Sequence, residues 1–166
     1  MRKGEKGILI AIAVIVLVFM GINAYRKAHV KGPDKGIPFY TTASEDLKKK
    51  GSRLVKQYDC RDCHTLWAVR NVLQHVPSPA LDGIGVLRSE SWLFDYLSAK
   101  DPQKIIPSRL KAEYRMPSYA EMPEEDRHTL AAYLASLKVK NWYLEEVKKS
   151  EYEKLTGKTL PDGKNE

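Results

Sequence analysis

Cys60-Arg61-Asp62-Cys63-His64 sets two thiols and an imidazole within five consecutive positions, and the chain of 166 residues holds no other cysteine. Cysteines three apart are poorly placed to close a stabilising loop, so the pair points to another chemistry. Two thiols on one helical turn can reach the two vinyl groups of one porphyrin as thioethers. The histidine that follows is then carried beneath the ring to ligate its iron. C-x-x-C-H is the pattern of covalent haem attachment. Two other uses compete for it. A thioredoxin-like redox pair needs a βαβ setting, and half a zinc site needs a second Cys/His pair. The sequence offers neither, because the remaining histidines, His29, His75 and His128, are scattered.

An iron held by one histidine has a second axial position to fill. Met116 follows His64 by fifty-two residues, precedes Pro117, and lies in a loop just before the last core helix. Its thioether would complete Met/His ligation and raise the reduction potential, since a soft neutral sulfur favours ferrous iron. Met122 also precedes a proline, and His75 or His128 would give bis-imidazole ligation at a lower potential. A methionine in a small core also often serves packing alone. Position favours Met116.

The elements that must carry these groups read as helices. Thr42, with Glu45 three residues on, is a capping-box signature opening a helix to about Tyr58, with Leu47, Leu54, Val55 and Tyr58 at helical spacing and Gly51 on the same side. Asn71–Gly85 is loop-rich, with Pro77, Pro79, Gly83 and Gly85. Ser89 caps a short helix through Leu97, and Asp101-Pro102 starts a further turn. Ile105–Tyr119 reads as mostly loop. Pro123 at a first helical position, then Glu124, Glu125 and Asp126, begins a helix with the stripe Leu130, Tyr133, Leu134 and Leu137. No stretch shows strand-length alternation, and no repeat is present. The class is all-α.

At the N-terminus, Gly7–Tyr25 runs nineteen residues without a charge, a length at which a helix just spans a hydrocarbon core. No position after the apolar run has small residues placed for signal cleavage, so the segment reads as a retained anchor. The net charge of +7 gathers there. Residues 1–39 hold seven Lys/Arg against two acids, residues 40–138 fifteen against thirteen, and residues 139–166 six against six. That distribution suits anionic lipid headgroups and, without a basic–aromatic array, excludes a nucleic-acid role. The sequence thus divides into an anchor at 1–28, a Gly/Pro linker at 29–41, a haem domain at 42–138 and an extension at 139–166.

Residues from about Thr42 to Lys138 resemble the class I, monohaem cytochrome c family of bacterial type. The resemblance is carried by Cys60-x-x-Cys63-His64, Pro79-Ala80-Leu81 with Gly83 and Gly85, Trp92-Leu93, Asp101-Pro102, Met116-Pro117-Ser118-Tyr119 and Leu130-Ala131-Ala132-Tyr133-Leu134. Pro79 to Leu137 is also similar to the anchored cytochrome subunits of nitric oxide reductase and haem–copper oxidase complexes. The resemblance implies a cytochrome c fold around one covalent haem c, with His64 and Met116 on the iron. It implies that the Pro79 carbonyl accepts the Nδ1 hydrogen of His64. It further implies that Gly51 and Tyr133 meet where the first and last helices cross. Trp92, with Arg88, Arg109 or Arg115, would hydrogen-bond the haem propionates. Two departures stand out: Val69–Asn71 and Ser78 occupy regions where the family usually carries glycine.

The expected function is single-electron transfer without substrate chemistry, between periplasmic or membrane redox partners. The partner is a redox protein or a membrane oxidoreductase complex, of which the chain is either a tethered shuttle or a subunit. Haem attachment outside the cytoplasmic membrane of bacteria, as the family implies, places the domain on the periplasmic side. The alternative is a haem enzyme or gas sensor with an open distal iron position. In the extension, Trp142, Tyr143, Leu144, Val147, Tyr152 and Leu155 lie among charges as helix anchors that either wrap the domain or meet a partner.

Overall fold

The computed structural model of the chain describes residues 3–29, 35–71 and 76–160, with the side chains of 3–6, 9 and 26–29 outside that description. His75 therefore lies outside the described residues. The chain divides into two compact units, Met1–Ile37 and Pro38–Glu166.

The first unit is a helix, α1 (Lys3–His29). Its apolar side chains point to every side of the helix, and Ile8, Ile12, Ile15, Leu17, Phe19 and Met20 are all exposed. A helix apolar all round has no stripe to dock on a soluble core. Among the described residues, however, no helix is long and apolar enough to cross a membrane. Ile10–Tyr25, the longest run of described side chains in α1, rises only about 24 Å.

The second unit is mostly helical, as expected, but it contains one small sheet. β1 (Phe39–Thr41) pairs antiparallel with β2 (Leu137–Val139) in the register Phe39↔Val139, Tyr40↔Lys138 and Thr41↔Leu137. Three-residue strands are too short to show the alternation that betrays a strand in sequence. The pairing ties the end of the expected linker to the start of the extension. Thr41 Oγ1 and Ser136 Oγ lie 2.8 Å apart, and Thr42 N–H donates to the Ser136 carbonyl (3.0 Å).

That last bond corrects the expected cap. Thr42 is bonded to Ser136 just past the strand pairing, and α2 (Glu45–Gln57) is capped by Ser44, whose Oγ accepts from Leu47 N–H. Glu45 and Asp46 in the first turn and Lys56 in the last complement the helix dipole. Pro123 likewise precedes α6 (Glu124–Ser136) as its cap rather than standing inside it. α2 buries Gly51, Leu54 and Val55, and α6 buries Leu130, Ala131, Tyr133 and Leu134. A Cβ on Gly51 would fall inside the Tyr133 ring's contact distance, so this crossing requires glycine.

Between them lie α3 (Cys60–Cys63), α4 (Ile84–Leu87) and α5 (Glu90–Ser98). Ser89 caps α5 as expected, accepting from Trp92 N–H at 3.2 Å, and Leu93 and Leu97 turn inward against α6. 3₁₀ turns at Pro102–Lys104, Ala112–Tyr114 and Asn141–Tyr143 punctuate the loops. The extension forms α7 (Leu144–Thr156), which buries Val147 and belongs to the same compact unit.

Candidate functional site

Cys60 and Cys63 occupy one helical turn, α3, closed by His64 N–H donating to the Cys60 carbonyl (2.9 Å). Both thiols are free and half-buried. Burial pushes the Cys60 thiol up to about 11, and burial with the nearby Asp62 carboxylate raises that of Cys63. His64 is held by a hydrogen bond from Nδ1–H to the Pro79 carbonyl (2.7 Å). Burial lowers the imidazole's pKa, and that bond opposes the shift only in part, so the ring is neutral. A neutral ring with its proton on Nδ1 leaves the Nε2 lone pair free for a metal.

The segment after His64 carries backbone strain. Trp67 and Ala68 both have positive φ (58° and 56°), and Leu66 and Val69 exchange a pair of hydrogen bonds across them (3.2 Å each). Such a two-residue turn ordinarily takes Asn-Gly or Gly-Gly. Here the buried Asp82 carboxylate stands in for that preference by accepting from Trp67 N–H (2.5 Å) and Ala68 N–H (3.1 Å). Arg61 Nη2 donates to the Leu66 carbonyl (2.8 Å), and Leu81 N–H donates to the Thr65 carbonyl (2.9 Å). The strain thus sits just ahead of Val69–Asn71, where family glycines were missed. Desolvation raises the Asp82 pKa, against the opposing pull of the two amides and Arg61.

Met116 approaches from the loop between the Pro102–Lys104 turn and α6. Its carbonyl accepts from Gln103 Nε2 (3.0 Å), and Ser118 Oγ donates to the Ala99 carbonyl (2.8 Å). One cavity brings together Cys60, Cys63, His64, Pro79, Trp92 and Met116. Leu81, Ile84, Leu93, Leu97, Leu130 and Leu134 supply apolar walls. Two thiols on one turn and a neutral imidazole, with a thioether in the same apolar cavity, fit a covalently held haem.

Among the described residues, the rival ligands fall elsewhere. Met122 is buried in the core and does not line the cavity. His128 is exposed, stacks on Phe94 and lies 3.8 Å from the Glu124 carboxylate. Of the three arginines, Arg88 and Arg109 line the cavity, whereas Arg115 is turned to the Leu110 carbonyl (2.8 Å). Trp92 stacks on Tyr96 and lies under the Arg88 guanidinium, 4.9 Å from the ring centre.

Sequence reasoning missed Asp82, for which the missing glycines were the available signal. It also missed Glu151, Lys154 and Leu155 of α7, which line the same cavity although they lie beyond Lys138. No curated protein and no solved structure matches the chain. The family model described as cytochrome c matches residues 48–138.

Proposed function

This chain belongs to the cytochrome c family, carries covalently attached haem c and transfers electrons, and we propose that it does so as a membrane-anchored carrier with His64 and Met116 as axial ligands. The observation that supports the ligand assignment is the single cavity lined by Cys60, Cys63, His64 and Met116 together. When bound, the haem supplies the one-electron change between ferric and ferrous iron. Cys60 and Cys63 fix its position as thioethers. His64 presents Nε2, oriented through the bond from Nδ1–H to Pro79. The Met116 sulfur would favour the ferrous state, and the leucine-rich walls would give the bound group an apolar surround.

Anchoring is supported by α1, whose exposed apolar side chains need a nonpolar surround, and by the charge-free run Gly7–Tyr25 in the sequence. With haem attachment outside the cytoplasmic membrane of a bacterium, the N-terminus lies inside and the haem domain in the periplasm. There it serves a redox protein or a membrane oxidoreductase complex, as shuttle or subunit.

The test is the visible spectrum of the full chain, oxidised and reduced, with and without carbon monoxide, beside Met116→Ala. The expected wild type stays in the membrane fraction until detergent is added, is low-spin and ignores carbon monoxide, while the variant binds it. Carbon monoxide binding to the wild type would overturn Met116 ligation and favour an open-site enzyme or gas sensor. Haem absorbance released without detergent would overturn the anchor.

A further inference from the structure

Among the described residues, the permanent cations that line the haem cavity are Arg88, Arg109 and Lys154. All three sit on or against α7, which lies outside the matched segment 48–138. Arg88 Nη2 pairs with Glu151 Oε1 at 3.0 Å, with both side chains largely shielded (24% and 16% exposed). Arg109 lies along the helix's C-cap, where a Cβ on Gly157 would stand 3.1 Å from Nε. Lys154 and Leu155 are contributed by α7 itself. Buried Val147 and the edge-on contact of Phe39 with Tyr143 (5.4 Å) fix the helix to the domain.

Resting on the reading that this cavity holds the haem, we propose that α7 is its propionate-side wall, with Lys154 as a direct cationic contact and Glu151 and Gly157 as positioning residues for Arg88 and Arg109. A haem brings two carboxylates, and anions taken partly out of water need fixed cations. The cavity's cations are all on or against α7, so the helix sets both where those carboxylates sit and the local charge felt at the metal. Charge near a redox centre biases it directly. A cation favours the ferrous form, which carries one positive charge fewer, and a carboxylate favours the ferric form.

The test uses the full haem-loaded protein at pH 8. Lys154→Gln lowers the reduction potential and Glu151→Gln raises it. Each changes the ferrous-to-ferric ratio at a fixed applied potential by about threefold, or about 28 mV at 59 mV per tenfold. Lys154→Arg restores the wild-type value. A helix that merely wraps the domain would leave both variants unchanged or, if loosened, move both the same way; either result overturns the proposal. Proton spectra of the reduced wild type separate this from the reading beneath it. Ring-current shifts are expected on the methyls of Leu155 and of Leu93 and Leu97 in the cavity wall. Unshifted Leu155 beside shifted Leu93 and Leu97 rejects the α7 wall alone, whereas unshifted methyls on all three reject the cavity as the haem site.

Discussion

On the His64 side of the cavity, the donor groups follow one another within five residues, and the backbone around them is bonded at nearly every step. Cys60 closes its turn onto His64, Pro79 holds the ring, and Asp82 and Arg61 clamp the strained segment that follows. On the Met116 side, the sulfur sits in a loop held by single side-chain bonds spread along it: Gln103 to the Met116 carbonyl, Ser118 to the Ala99 carbonyl, Arg115 to the Leu110 carbonyl, Tyr119 to the Tyr58 carbonyl and Arg127 to the Ala120 and Met122 carbonyls. The first side is over-determined and is closed by covalent attachment; the second is held by a few bonds, each worth about 1 kcal/mol. With the ligands proposed above, exchange at the metal should therefore begin at Met116.

Substitutions can break or sharpen this contrast. The largest effect is expected where α2, which leads into the Cys60 turn, crosses α6. Gly51→Val forces a side chain into the Tyr133 ring and should cost about 3 kcal/mol or more by overpacking. Denaturant unfolding would show a sharp fall in midpoint, and a change under about 1 kcal/mol would mean that the crossing can re-form.

Asp82→Ala comes next, because it leaves the Trp67 and Ala68 amides without their buried acceptor, a loss of about 2 kcal/mol. The carboxylate also predicts a pH dependence. Burial raises its folded pKa above the ordinary value of 3.8, so the folded chain binds the proton more tightly than the unfolded one. The stability this proton confers is complete below that ordinary value and is lost as pH rises through the raised one. Subtracting the pH–stability curve of Asp82→Asn from that of the wild type should give this falling limb. A flat difference would remove Asp82 as its source.

Gln103→Ala tests the other side. It should cost about 1 kcal/mol and let carbon monoxide compete measurably for the reduced iron, while Asp82→Ala leaves that competition near the wild-type level. If the two variants admit carbon monoxide equally, the two sides are not held differently. The smallest effect should be a gain: Ala68→Gly removes the penalty of a positive φ on a residue with a Cβ, stabilising by about 0.5–1 kcal/mol in thermal unfolding.

Much of the His64 side was legible in the sequence because its chemistry is local. Cys60-x-x-Cys63-His64 names its own use, and the resemblance supplied the Pro79 carbonyl and the Gly51–Tyr133 crossing, both present in the structure. Ser89 was legible because a cap acts on amides two or three residues away. What stayed hidden depends on partners far along the chain. Thr42 with Glu45 satisfies the capping-box pattern, yet Thr42 is bonded to Ser136 just past the strand pairing and Ser44 takes the cap. The two short strands carry no alternation, and only their pairing defines them. α7 shows apolar residues among charges, which identifies a helix but not the cavity that Leu155 and Lys154 face. Met116 lies between these cases: its sequence position nominated it, and it lines the cavity as the buried Met122 does not.

The pairing of Phe39–Thr41 with Leu137–Val139 also sets an order of events during biogenesis. The Cys60 turn precedes α6 and β2 in the chain, so a chain emerging from its N-terminus presents the thiols first. Until those later elements arrive, neither the α2–α6 crossing nor the strand pairing can close. Once they close, Cys60 packs against the core and its thiol is pushed up to about 11, leaving the nucleophilic thiolate scarce at neutral pH. The folded architecture thus favours a chain that receives its haem while still open, with the late-arriving strand acting as the latch that seals the finished product.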